Sequence, residues 1–169
     1  FEVGPSYLSE KPEGQGRAAA VVRQGFASPR HWDAPRRAVD ALDTKADALA
    51  VLSSCGVAAG SSSVEAGGPP WYHPGRSGTI RQGPRITLAV FGELHPKVLA
   101  ELGVKGPVVA CEVYLDALPL GKKKGAARPA LDAPDLLTVE RDFAFLVDAR
   151  TAAGGVLRAA AKADKLVEG

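Results

Sequence analysis

The sequence predicts an α+β chain in which hairpin-joined strands are interrupted by a few short helices. Three observations carry that prediction. In Trp71–Pro96 two apolar runs meet at Gly83-Pro84, the residue types that reverse a strand. From Val39 to Gly56 the apolar spacing becomes helical. Val108–Leu115 places β-branched residues on both faces, the pattern of a strand inside a sheet covered on both sides.

Taken in order, Phe1–Val3 and Arg17–Gln24 read as the strands of a first hairpin with a polar tip at Ser9–Gln15, and Gly14 and Gly16 mark the turn. Phe26–Arg36, with two prolines, His31 and Trp32, reads as an irregular connection in which Trp32 is a core anchor. The helix is expected from Thr44 to about Cys55. Asp43 or Thr44 caps it, Ala46, Leu49, Val51 and Leu52 form its buried side, and Gly56 ends it. Ala58–Pro70, rich in Gly, Ser and Pro, is expected to be a loop. His73-Pro74-Gly75-Arg76-Ser77 then forms a polar turn ahead of the Gly83-Pro84 hairpin. Pro96 fits the first turn of a two-turn helix with an apolar face of Val98, Leu99 and Leu102, because its missing N–H would be unpaired there anyway.

The clearest boundary is Leu120–Thr138, where Lys122-Lys123-Lys124 and two prolines offer little to pack, so this stretch reads as a linker. Beyond it Arg141–Asp148 is expected to be a strand and Ala152–Ala163 a helix with Val156, Leu157 and Ala160 facing inward. Such a pair cannot bury its own core and must lean on the rest of the chain or on residues beyond it. The absence of methionine and the strand-like opening at Lys165–Gly169 both suggest a fragment of a longer chain.

Composition narrows the classes. At 169 residues the chain suits one domain, or one domain plus part of another. No apolar run reaches the roughly 18 residues of a membrane span, and no signal peptide opens the sequence. A net charge of +2 does not by itself imply nucleic-acid binding. Two cysteines, Cys55 and Cys111, with no CxxC pairing argue against a disulfide or zinc framework and favour a reducing cytoplasm.

His73, Glu93 and His95 are the residues that invite a metal-dependent hydrolase or general acid–base reading, since imidazole binds zinc and a carboxylate orients it. Nothing sets the spacing of a metal motif, and structural histidines in His-Pro turns explain the same residues. Arg76 after Gly75 suits an anion clamp or a loop salt bridge equally well. Ser61-Ser62-Ser63 lacks a GxSxG turn, and Gly75-Arg76-Ser77-Gly78 is not a phosphate loop. Lys122–Lys124 could lead a stand-alone RNA-binding module or lie in a solvated linker. Cys111 reads as inert packing.

Five segments together carry a resemblance: FEVGPSYL, VDALDTKADALAVL, WYHPGRSGTI, VFGELHPKVLAELGVKGPVVACEVYLDAL and VERDFAFLVD. They resemble, in order, the C-terminal part of the beta subunit of bacterial phenylalanine-tRNA ligases, and HPGRS followed by FGELHP is the most specific pair. The resemblance implies a catalytic-like domain over residues 1–119, a class II synthetase-like antiparallel sheet flanked by helices that has lost its active site. It also implies the 120–138 linker and, at 139–169, a truncated ferredoxin-like anticodon-binding unit. No Arg-x-Glu follows Phe1–Tyr7 where a working site would grip ATP, and no Gly-rich run ends in the arginine of the third class II motif. Catalysis, ATP and magnesium are then implied for the whole enzyme and its alpha subunit, with no metal or cofactor in this chain. His73, Gly75, Arg76, Glu93 and His95 become signature turn residues with structural or partner contacts and no catalytic role. The implied partners are the alpha subunit and tRNA(Phe), the latter bound weakly or not at all by this piece, in a cytoplasmic heterotetramer.

Overall fold

Alternating residues and tight turns give the first 115 residues one open antiparallel sheet. The computed structural model describes residues 1–7, 9–33, 35–58, 60–119, 137, 139–164 and 166–167. It divides into two units, Phe1–Lys122 and Lys123–Gly169. In the first, strands β1 (Glu2–Tyr7) and β2 (Gln15–Gln24) form one hairpin. Strands β3 (Ser63–Ala66), β4 (Tyr72–Gln82) and β5 (Ile86–Leu94) form a meander. The last strand, β6 (Val108–Tyr114), inserts between β2 and β5, giving the order β1-β2-β6-β5-β4-β3. The interior position expected for this strand is therefore observed, although a helix covers only one face of the sheet and not both, and β6 joins the hairpin and the meander by long-range pairing.

One face of the sheet packs against helix α1 (Ala41–Ser54) through Ala48, Leu52, Ile80, Leu88, Phe91 and Val113. Register explains an apparent irregularity in β5. Pairing steps from Ile80↔Ala89 to Arg81↔Thr87, so Leu88 is a bulge residue, and Leu88 and its neighbour Ala89 both enter the same core. Cys111 lies in that core too, and burial pushes its thiol up to about 11, which makes it the inert packing residue expected.

The α1 terminus differs from expectation. The cap is Asp40, whose carboxylate accepts from the Leu42 and Asp43 amides, while Asp43 reaches back to the Asp40 amide at 2.8 Å. Asp43 is thus the third helical residue of a capping box, not the cap. Thr44, Ala48 and Leu52 form the buried stripe, whereas Ala46 and Leu49 turn outward. Leu52 is buried as expected and Val51 packs half-buried against the same core, while Thr44 and Ala48 take the places expected for Ala46 and Leu49.

Arg37 forks onto Asp43 at 2.6 and 2.8 Å, and this guanidinium first, then the Asp40 amide, holds the Asp43 carboxyl at about 2 instead of the ordinary 3.8. A carboxylate depressed in the folded state stabilises above its unfolded value near pH 4 and loses that contribution as pH falls toward 2. Asp43→Asn is therefore expected to flatten the acid limb of thermal unfolding between about pH 4 and pH 2. Circular dichroism melts across that window measure it, and an unchanged slope would refute the assignment.

Four further expectations are corrected, the last in part. The 58–70 segment contains β3, which forms because its backbone finds the edge of β4, a pairing that Ser-Val-Glu-Ala composition does not announce. The polar turn at 73–77 lies inside β4, where pairing jumps from Tyr72↔Leu94 to Ser77↔Gly92 and leaves surplus residues on β4. Trp32 is 90% exposed and anchors no core. Helix α2 (Pro96–Glu101) has Pro96 in its first turn as expected, but only Leu99 of its apolar residues is buried.

In the second unit, α3 spans Ala153–Ala161, starts without a side-chain cap and buries no residue. Val156 is half-buried, whereas Leu157 and Ala160 are exposed. The strand expected at 141–148 is absent, and Phe143, Phe145 and Leu146 are exposed, with the two phenyl rings stacked at 6.4 Å. Apolar alternation alone does not make a strand, because the backbone needs a neighbouring edge and none of the described residues supplies one. The strand expected to open at 165–169 is likewise not seen at Leu166 and Val167, where Val167 donates to Asp164 in a turn at 3.2 Å. The Lys122–Lys124 run and nearly all of the expected linker lie outside the described residues.

Candidate functional site

The hairpin that concentrates titratable residues is built from β4 and β5, and each residue singled out in it can be placed. His95 ends β5, donates its amide to the Trp71 carbonyl at 2.8 Å and caps α2 through Nδ1, which accepts from the Lys97 amide at 3.1 Å. His73 uses Nδ1 in the same way, accepting from the Gly75 amide at 3.1 Å, and its carbonyl accepts from Ser77 Oγ at 2.8 Å. Both imidazoles thus have one ring nitrogen committed to an adjacent turn.

Arg76 settles the alternative left open in the sequence. Its Nε lies 2.6 Å from Glu93 Oε2 and its Nη2 donates to Glu93 Oε1 at 3.0 Å, a fork across the two strands. The clamp is filled by the protein's own carboxylate. Among the described residues no group of three or more His, Cys, Asp or Glu side chains is placed to hold a metal ion. His73, Glu93 and His95 each brace a turn or a strand pair.

One constellation escaped sequence reasoning. Glu112 stands in the middle of the apolar strand β6, on the face opposite α1, and its Oε1 accepts from Trp71 Nε1 at 2.9 Å and from the Tyr72 hydroxyl at 3.1 Å. Tyr72, Val90 and Ala110 form a second small core there, and burial followed by the nearby Glu112 charge pushes the Tyr72 phenol upward. The available signal was a lone acidic residue in VVACEVY, which a strand tolerates only with hydrogen-bonding partners. Beside this cluster an open cleft of about 500 Å3 is lined by Gly67, Gly68, Thr79, Arg81, Val90 and Tyr114. Its charged residue, Arg81, lies at ion-pair distance from Glu65, Nε to Oε2 2.9 Å, without the alignment of a hydrogen bond. Thr79 Oγ1 donates to the Gly67 carbonyl at 2.9 Å. On this sheet face the described polar groups brace one another.

This architecture has a match among known families. The model of the phenylalanyl tRNA synthetase beta chain CLM domain matches residues 1–115, two thirds of the chain and all six strands. The chain belongs to that family. It is similar to the phenylalanine-tRNA ligase beta subunit of Paramagnetospirillum magneticum, 48% identical over 168 residues, which is 99% of this chain and 21% of the relative. The corresponding subunit of Rhodospirillum rubrum is 49% identical over 166 residues, 98% of this chain and 21% of the relative. That of Bradyrhizobium diazoefficiens is 46% identical over 170 residues, with 98% and 21% covered. The chain thus spans about a fifth of the length of these curated relatives. The phenylalanyl tRNA synthetase beta chain resemblance stated from HPGRS and FGELHP is shown, and the similarity continues past the family model through residues 116–169. No helix of the described residues is long and apolar enough to cross a membrane.

Proposed function

We propose that this chain is a non-catalytic structural module of the phenylalanine-tRNA ligase beta subunit, supporting the alpha subunit in aminoacylation of tRNA(Phe). Residues 1–119 form the inactive, class II synthetase-like domain, 120–138 link it onward, and 139–169 begin a ferredoxin-like anticodon-binding unit. One observation carries the non-catalytic part. The polar side chains of the β4–β5 hairpin are spent on one another and on adjacent backbone, with Arg76 closed by Glu93 and both histidines bound to their own turns. A working synthetase site needs such groups aimed at ATP and at the developing charge of the reaction. Here they hold strands together. ATP, magnesium and phenylalanine belong in this reading to the alpha subunit, and the enzyme works in the cytoplasm.

The expected result is that this chain, mixed with ATP, magnesium, phenylalanine and tRNA(Phe), forms no aminoacyl-tRNA and exchanges no pyrophosphate. With the purified alpha subunit it is expected to co-elute on gel filtration. Phenylalanine-dependent turnover by the chain alone would overturn the non-catalytic assignment, and failure to co-elute would overturn the supporting one.

A further inference from the structure

The described residues of the 26–38 segment, 26–33 and 35–38, belong to no helix and to no strand of the sheet, yet the base of the segment is fixed. Phe26 and Ala38 form an isolated antiparallel bridge, Ala27 donates to the Arg37 carbonyl at 3.1 Å, and Val39 donates to the Gly25 carbonyl at 3.0 Å. Arg37 fastens this stem to the first turn of α1 through Asp43 and, at 3.4 Å, through Asp40. Pro29 and Pro35 narrow the backbone choices between. The result is a closed surface loop on a fixed pedestal.

What the loop presents is flat and positive. Trp32, 90% exposed, lies beside His31 with ring centres 5.6 Å apart. The His31 ring is itself oriented, since Nδ1 accepts from the Asp33 amide at 3.2 Å. On the stem the Arg36 guanidinium carbon lies 3.4 Å from the centre of the Phe26 ring, and Phe26 is 48% exposed. Among the described residues neither Arg30 nor Arg36 has a carboxylate partner within ion-pair distance. Leaving a tryptophan in water forfeits about 2 kcal/mol or more of apolar burial, so the exposure calls for an occupant. Tryptophan and arginine also anchor protein interfaces. The excess of unpaired guanidinium over the single Asp33, together with two separate stacking plates, instead fits a polyanion carrying flat, unpaired bases.

We propose that this loop is an RNA-contact site which stacks unpaired nucleotides of a tRNA on Trp32 and on the Arg36–Phe26 plate, with phosphates held by Arg30. The site rests on the proposed role of the chain in a tRNA ligase and is separate from any anticodon contact by residues 139–169. It is the chain's own RNA surface, modest in affinity because it engages few nucleotides.

The test uses the 169-residue chain with Trp71→Phe as background, so that Trp32 is the one tryptophan left of two. The probes are a tRNA(Phe) transcript, a single-stranded oligouridylate and a duplex RNA of equal length. The expected result is quenching of Trp32 fluorescence by the first two and, read for every variant by anisotropy of the end-labelled RNA, affinity reduced about ten-fold by Trp32→Ala and similarly by Arg36→Gln. Both variants should melt as the parent does, since neither side chain enters the core. Equal binding by Trp32→Ala and the parent overturns the site, and so does equal binding of duplex and single strand. A Trp32→Ala variant that keeps its RNA affinity but no longer co-elutes with the alpha subunit would reassign the loop to a protein partner. A chain that co-elutes with the alpha subunit and binds no RNA overturns this site while leaving the proposed function standing.

Discussion

Gly92→Ala is expected to destabilise the first unit by about 3–5 kcal/mol. A Cβ at Gly92 would lie 2.6 Å from the Arg76 carbonyl oxygen and 2.7 Å from the Ser77 Cα, and these are backbone atoms that no rotamer change moves away. The collision has a specific origin. Pairing jumps from Tyr72↔Leu94 to Ser77↔Gly92, and the surplus residues of β4 fold directly over the glycine. HPGRS and FGELHP are therefore two halves of one device, an irregular strand and the side-chain-free position it crosses. Opening it would also part Arg76 from Glu93. Against a typical total of about 5–15 kcal/mol, that is a large share of the stability. Urea titration followed by circular dichroism measures it, and a midpoint within error of the parent would show that the strands can separate there without cost.

Leu52→Ala is the second large expectation, at about 2–5 kcal/mol. Leu52 is 2% exposed at the last buried turn of α1 and packs in the cluster with Ile80, Leu88 and Phe91. Its removal leaves a cavity between a helix and a sheet whose pairing prevents collapse. The matched control is Leu49→Ala, three residues earlier and 38% exposed, for which about 1 kcal/mol or less is expected. Equal shifts of the two urea midpoints would contradict the buried stripe seen here. A functional consequence follows, because α1 carries Asp40 and Asp43, which hold the stem of the 26–38 loop through Arg37. Loosening the helix at Leu52 should loosen that loop as well, which hydrogen exchange at the Ala27 and Val39 amides would report.

Much of the architecture was legible because it rests on local chemistry. The Gly83-Pro84 reversal, the helix after residue 40, the proline at the start of α2 and the interior character of Val108–Tyr114 all follow from turn residues, periodicity and β-branching. Where the sequence misled, a distant partner decided. Trp32 looked like a core residue because large aromatics usually are, and only the closed loop around it shows that it points to water. Ser63–Ala66 lacks strand composition but has an edge to pair with, whereas 141–148 has the composition and no edge among the described residues.

The titratable hairpin divides along the same line. Residue types and order alone determined the phenylalanyl tRNA synthetase beta chain family, since a fingerprint such as HPGRS with FGELHP is a property of the chain and needs no coordinates. They could not say what the polar groups do. Arg76 and Glu93 lie on different strands, and Glu112 meets Trp71 and Tyr72 across about forty residues of sequence. Whether a charge awaits a ligand or is already satisfied depends on which strands the sheet sets side by side. Register is a global property, fixed by the pairing of β6 and by the surplus residues of β4, and only the tertiary structure decides it.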